Sequence, residues 1–355
     1  MASIVHPVEG EAYVLACAEI HRSQLRHGDQ PLRAGGRRRA DPVLSRAGGP
    51  ESESMTEFRS IVIGAAAGGG LPQWNCGCEN CRLARASSPD RLVPQTQSSL
   101  AVSGDGENWA LLNASPDIRQ QLINTPALHP RALRDSPIGT VLLTNGDIDH
   151  IAGLLTLREK QPFRLAMTAA IHDVLQENPV FRALDPDFVK REIVALDRFF
   201  TLTPGIEARL FSVPGKVPLF LEGENPDTAL EGEQTVGVEL RAGRRKAFYI
   251  PGCAVIRDDL KRRIDGADVL YFDGTLFSDD EMIRSGTGVK TGRRMGHISI
   301  SGPDGSLEAL RGLAIRRKVY VHINNTNPIW RDGPERRYVE DNGFEVAFDG
   351  KEISL

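Results

Sequence analysis

From Phe58 onward the chain alternates short apolar runs with polar turns, and the runs are of two kinds. SIVIGAA, SSLAVSG, WALLNAS, TVLLTNG, RLAMT, IEARLFSV, TVGVELRAG, KAFYIPG, DVLYFDGT and KVYVHINN are rich in branched and aromatic residues. Most end in Gly, Ser, Asn or Thr, and they predict strands. Apolar positions three and four apart in PDIRQQLI, IAGLLTLREK, AAIHDVLQEN, VIRDDLKRRI and SLEALRGLAI predict helices. Small or polar residues at the strand ends are where α/β and sandwich enzymes carry functional groups, on loops held by a rigid sheet. No repeat and no long linker interrupts the pattern, so residues 55–355 are expected to form a single domain.

Residues 1–54 lack this order. RSQLRHGDQPLRAGGRRRADPVLSRAGGPESES is rich in Arg, Gly, Pro and Ser and has no sustained period. Such a segment cannot offset ordering entropy by burial, and disorder is expected there. Met55 precedes TEFRSIVIGAAAGGG, which reads as a natural beginning, so the extension is expected to be a mis-assigned start; a genuine basic tail is the alternative.

Composition narrows the classes. At 355 residues, with 40% hydrophobic and 25% charged residues, the chain can bury a large core. A net charge of −4 with the signs interspersed argues against nucleic acid. No apolar run reaches the roughly 20 residues of a membrane helix, and no secretory signal opens the chain, so a cytoplasmic location is expected. Five cysteines, three of them within six residues, do not make a disulfide framework.

Two constellations carry chemistry. In NCGCENC, Cys76, Cys78 and Cys81 lie on a Gly/Asn-rich turn that can point three sulfurs at one ion. Zinc(II), tetrahedral and thiolate-held in structural sites, is the expected occupant, with a redox or inert cluster as the alternative. In TNGDIDH, Asp147, Asp149 and His150 follow a strand. They can bind a cation or simply cap the next helix. Of eight histidines, His150, His297 and His322 share strand-end or glycine-turn settings, and with Asp149 and Asp273 they point to a metal centre. GAAAGGGLPQW fits neither phosphate-loop pattern and is expected to be a tight backbone path beside one of these sites. Ser115 lacks the setting of a serine nucleophile and reads as a turn or cap residue, with Pro116 opening the helix. Lys290, Arg293 and Arg294 either serve substrate carboxylates or form a solvated loop, the second being the default.

Taken in order, IVIGAAAGGGLPQWNCGCENC, LLNASPDIRQQL, LLTNGDIDHIAGLLTLRE, YIPGCA, YFDGTLF, MGHISISGPDGS and VHINNTNPI resemble the coenzyme PQQ synthesis protein B family of the metallo-β-lactamase superfamily. The resemblance implies an αββα sandwich with a metal site at one edge. Against the superfamily's HxHxDH loop, Asn145 and Asp147 replace the first two histidines, while Asp149 and His150 match the last pair. His322 matches the late strand-end histidine, and Asp273 and His297 resemble an acid and a histidine of the tRNA-maturation branch. The bridging aspartate is missing at Pro251, Gly252 and Cys253. Such losses suit one metal with open positions rather than two.

What the resemblance implies is iron(II) held by Asp149, His150, His297 and His322, with Asp147 and Asp273 orienting ligands or substrate. The implied reaction is O2-dependent hydroxylation of the tyrosine ring of a cross-linked Glu–Tyr intermediate during pyrroloquinoline quinone assembly. Phosphodiesterase relatives complete the cysteine zinc site with a histidine where this chain has Asn325, so Asn325, water or another residue is the fourth ligand. Rival readings are a zinc-dependent hydrolase and a carrier or transport accessory for the finished quinone. Other proteins of the same pathway, or a second copy of the chain as a homodimer, are the partners left open.

Overall fold

The structure, a computed structural model, describes residues 57–88, 91–223 and 227–355. Residues 1–54 and Met55, with the expectations of disorder and of an internal start, lie outside the described residues. The described strands are β1 (Arg59–Gly64), β2 (Ser99–Ser103), β3 (Trp109–Leu112), β4 (Ile138–Leu142), β5 (Phe163–Met167), β6 (Val189–Ile193) and β7 (Phe199–Thr203). They continue as β8 (Ile206–Ser212), β9 (Val236–Ala242), β10 (Arg245–Ile250), β11 (Val269–Asp273), β12 (Arg317–Val321), β13 (Phe344–Val346) and β14 (Lys351–Ser354).

Two seven-stranded sheets result, ordered β14-β1-β2-β3-β4-β5-β6 and β13-β12-β11-β10-β9-β8-β7. In the first, β14 to β3 pair antiparallel and β3 to β6 parallel. The second repeats the arrangement, antiparallel from β7 to β10 and parallel from β10 to β13. Successive side chains of a strand face opposite sides of its sheet. Val62, Leu100, Leu112 and Leu142 accordingly join Val238, Leu240, Tyr249 and Tyr271 in a cluster between the sheets. Ile61, Ile63, Leu111, Val141 and Leu143 turn the other way, onto Ile118, Ile171 and Leu175 of two covering helices. Helices Asp258–Ile264 and Pro334–Asp341 bury Leu260, Ile264 and Val339 in the larger cluster, which also holds residues of the second sheet. The layers make the expected αββα sandwich of the metallo-β-lactamase type.

All ten expected strands form, and the four that the pattern did not predict, β6, β7, β13 and β14, are the four sheet edges. Two expected helices are shorter than their apolar spacing suggests. IAGLLTLREK gives one α-turn, Ile148–Ile151, and a 3-10 turn, Ala152–Leu155. Gly153 presses against the backbone there: its N–H donates to the Ala114 carbonyl at 2.9 Å, and a β-carbon would stand 2.1 Å from the Ser115 oxygen. SLEALRGLAI is helical only over Ser306–Ala309. Pro116 precedes the first helical residue, Ile118, by two positions rather than opening the helix. Ser115 is buried, its hydroxyl donating to Gln121 Oε1 at 3.1 Å.

The site is placed where the parallel strands β4, β11 and β12 run out. The two sheets are tied at that edge by Val236 N–H donating to the Thr144 carbonyl. The glycine loop after β1 is tied to the exit of β12, Ala67 N–H donating to the Ile323 carbonyl and Ile323 N–H to that of Ala65.

Candidate metal centre

The segment after β4 turns at Asn145, whose Oδ1 accepts the Asp147 N–H at 3.0 Å, and enters the short helix carrying Asp149 and His150. Asp147 holds the N-cap position, but its carboxylate makes no capping bond; it accepts the Leu219 N–H at 3.0 Å instead. Asp149 Oδ2 lies 3.7 Å from His150 Nε2 and 3.1 Å from His322 Nε2. Gly68 backs this carboxylate, since a β-carbon there would meet it at 3.4 Å. The glycine-rich loop is thus a tight path along the site.

His150 is 1% exposed, and neither ring nitrogen has a hydrogen-bond partner. Leaving one buried polar group unpaired costs about 1–3 kcal/mol. Burial also holds its pKa below the ordinary imidazole value, so the ring is neutral and has a lone pair to offer. A cation bounded by Asp149, His150 and His322 would meet that need, and imidazole plus carboxylate is a donor set for zinc or iron. The residues present fit a metal.

A second triad shares His322: Asp273, His297 and His322 also bring ligand atoms together. Here the acid is already occupied. Asp273 is fully buried, its Oδ1 accepting the Thr275 N–H at 3.0 Å and hydroxyl at 2.7 Å. Its Oδ2 accepts the Cys253 N–H at 2.9 Å and pairs with His297 Nδ1 at 2.7 Å. With Nδ1 engaged, His297 keeps Nε2 for the cavity that it lines. The arrangement suits an acid that orients a ligand better than one that binds a second ion.

Thr275 is the hub that the sequence did not reveal. Its Oγ1 stands 2.8 Å from His322 Nδ1, 3.1 Å from His297 Nδ1 and 3.0 Å from the His322 carbonyl. If His322 Nδ1–H donates to that oxygen, Nε2 faces Asp149 as a lone pair, and a proton or a cation must sit between them. Burial opposes charge on His322, but the Asp149 bond and the charges of Asp149, Asp273 and Asp147 raise its pKa above the ordinary imidazole value. The same field favours a metal ion. His322 has φ 54°, a left-handed conformation that costs a non-glycine residue about 1–2 kcal/mol.

Asp147, Asp149, His297 and His322 line one cavity of about 450 Å³, with Ala67, Gly68, Asn145 and Thr275 also in its wall. Lys290 lines the same cavity, and neither it nor Arg294 forms a solvated loop: both pair with Glu222, at 3.3 and 3.1 Å, beside Lys216. Arg293 alone turns outward, to the exposed Asp304. Cys253 is fully buried, its thiol pushed well above the ordinary range by burial and by the Asp273 charge.

Three residues past His322, the same turn reaches the cysteine cluster. The sulfurs of Cys76, Cys78 and Cys81 converge, with Cys81 buried at the start of helix Glu79–Arg85. Asn325 Nδ2 stands 3.2, 3.5 and 3.3 Å from the three sulfurs, at the place of a fourth ligand. An amide nitrogen has no lone pair for a metal, so ligation by Asn325 requires the flipped amide, with Oδ1 inward. Asn80 Nδ2 fixes this turn by donating to the carbonyls of Asn325 and Asn327. Burial and the neighbouring thiols push Cys78 up to about 11. Three sulfur donors fit zinc, which would deprotonate them.

A family model described as a beta-lactamase superfamily domain matches residues 108–323. Coenzyme PQQ synthesis protein B of Rhizobium meliloti is 61% identical over 300 residues, covering 84% of this chain and 99% of that one. Its counterpart in Ruegeria pomeroyi is 64% identical over 299 residues, 84% of this chain and 100% of that one. The crystal structure of Zn(2+)-bound PqqB from Methylobacterium extorquens superposes with a TM-score of 0.82 at 54% identity, covering 84% of this chain and 100% of that chain. Identity of this order along the full length of those relatives, on a sandwich whose edge gathers Asp149, His150 and His322, places the chain in the coenzyme PQQ synthesis protein B family of the beta-lactamase superfamily.

Proposed function

We propose that this protein acts in the biosynthesis of pyrroloquinoline quinone as an iron-dependent oxygenase, hydroxylating the tyrosine ring of the cross-linked Glu–Tyr intermediate. The single observation that carries a metal-dependent reaction is His150, buried with both nitrogens unpaired beside Asp149 and His322. The relatives' shared name supports the pathway. In this reading Asp149, His150, His297 and His322 hold iron(II), which when bound supplies O2 activation at positions that the protein leaves open.

The chain's own residues do the rest. Asp273 and Thr275 fix the rotation of His297 and His322. Asp147, on the cavity wall, orients the substrate. The cavity of about 450 Å³ takes a two-residue ligand, and its walls of Ala67, Leu219, Val289 and Met295 give the ring apolar surface.

Of the two histidine triads among the described residues, only that of Asp149 has an acid with oxygens left for an ion, which favours a single metal over the paired zinc ions of a hydrolase. Elemental mass spectrometry on anaerobically purified chain is the test. Iron lost in His150→Ala and His322→Ala, with O2 uptake on the cross-linked substrate lost in parallel, is expected. Full iron and turnover in His322→Ala, or two zincs of which one leaves in the histidine variants, overturns the reading.

A further inference from the structure

Four charged side chains, three of them in the cavity wall, meet in a ratio that a structural ion pair does not need. Glu222, its side chain 6% exposed, is contacted by Lys216 at 2.7 Å, Arg294 at 3.1 Å and Lys290 at 3.3 Å. Burial would raise this carboxyl, but the three cations hold it down to about 2, so it is charged throughout the physiological range. One carboxylate neutralises one of three cations, leaving an excess of two positive charges among the described residues. Two ammonium groups and a guanidinium also carry about eleven N–H donors. The contacts to Glu222, with Lys216 Nζ to the Val217 carbonyl, engage fewer than half of them.

The placement is directed. Lys216, Glu222 and Lys290 line the same cavity as Asp149, His297 and His322. The Lys216 stem lies against Gly296, the residue before His297. A β-carbon at Gly296 would stand 3.2 Å from Lys216 Cγ, and Gly296 itself has φ 83°. Leu219, Val289 and Met295 line the same cavity and give it apolar surface.

We propose that Lys216, Lys290 and Arg294, gathered by Glu222, form a carboxylate-binding subsite of this cavity. It takes a small molecule whose carboxylate sits at these cations while its apolar or aromatic part reaches toward Asp149 and His322. That the natural ligand is the cross-linked Glu–Tyr intermediate rests on the proposed function; that the subsite takes a carboxylate does not.

The test is calorimetric titration of the full, metal-loaded chain without oxygen, using γ-glutamyl-tyrosine, which has two carboxylates, and its diamide. The diacid is expected to bind about tenfold tighter than the diamide or more, the scale of one charge-assisted hydrogen bond. Lys290→Ala/Arg294→Ala is expected to weaken the diacid about tenfold, to flatten its salt dependence and to leave the diamide unchanged. Both side chains are about a third exposed (35% and 34%) and Lys216 still pairs with Glu222, so the fold should hold; unchanged metal content checks it. Arg294→Lys should retain most of the preference, and Arg293→Ala all of it.

Equal binding of diacid and diamide, no binding of the diacid at millimolar concentration, or a double variant that binds like the parent overturns the subsite. Carboxylate-dependent binding, with no O2 uptake when the iron-loaded chain is given the cross-linked Glu–Tyr substrate in air, would remove the oxygenase reading and keep the subsite. Turnover with binding indifferent to the double variant would do the reverse.

Discussion

The cysteine turn and the histidine–aspartate cavity are both metal-capable, yet they are built in opposite ways. Cys76, Cys78 and Cys81 come from six consecutive residues, and only the Asn325 turn must arrive from elsewhere. Asp149, His150, His297 and His322 come from three segments spread over 174 residues of chain and meet only because β4 and β12 end at one edge, where Asp273 at the end of β11 holds His297. The first is closed over by Asn325; the second opens onto a cavity of about 450 Å³. Structural sites fill every coordination position, and catalytic ones keep some vacant. The contrast teaches that the local cluster should govern stability and the dispersed one chemistry, though His322 and Asn325 share one turn.

Cys81→Ser should break the comparison most severely. Removing the buried sulfur should cost about 3 kcal/mol or more and one zinc per chain, read by thermal unfolding and elemental analysis. An unchanged melting temperature would deny the cluster its structural part. His150→Ala comes next and has the opposite signature. Metal affinity at the cavity and turnover should fall more than about 100-fold, beyond the loss typical of an outer partner, with little or no loss of stability since both nitrogens lack partners. A large stability loss with retained iron would mean that His150 is a core residue.

Thr275→Val asks whether the hub matters to the open site alone. About tenfold weaker iron binding is expected, with zinc at the cysteines unchanged. A Thr275→Ser variant that fails to restore iron would assign the effect to packing rather than to the hydroxyl.

The smallest effect serves as a reference, because it touches neither site. Glu345 on β13 accepts from Arg317 on β12 at 2.7 Å and pairs with Lys351 on β14 at 2.8 Å, joining edges of the two sheets. Arg317 first, then Lys351, lowers its carboxyl from 4.5 to about 2 despite partial burial. A carboxyl depressed on folding contributes stability that is fully present above the unfolded value. That contribution should be lost as pH falls from about 4.5 toward 2. One-third exposure limits it to about 1 kcal/mol or less. Glu345→Gln should flatten the acid limb of the unfolding curve by that amount and alter neither metal.

Strand legibility followed burial. β1, β4, β10 and β11 are covered on both faces, so their apolar runs are nearly continuous and stand out. VKREI, FFTLT, FEV and KEIS lie at the edges, are more polar or short, and carry no such run. The IAGLLTLREK helix is shorter than its spacing for a different reason: Gly153 is in place to let two backbones touch, which apolar spacing cannot report. In the site, the residues with unmistakable chemistry were legible, namely the histidines, Asp149, Asp273 and the cysteines. Thr275 and Glu222 were not, because their roles depend in large part on His297, His322, Lys290 and Arg294, neighbours 22 to 72 positions away. Lys290 and Arg294 stand out by charge beside His297, but their convergence depends on the same distant glutamate.

The sequence by itself determined the kind of donors, the spacing of the cysteines, ten strands and the family resemblance, because these depend on side-chain chemistry and on periods of a few residues. Tertiary structure alone decided which donors meet, which acid is already saturated by hydrogen bonds, which imidazole is left unpaired and where three cations gather. Those outcomes depend on sheet order and on contacts between residues far apart in the chain, and no local period encodes them.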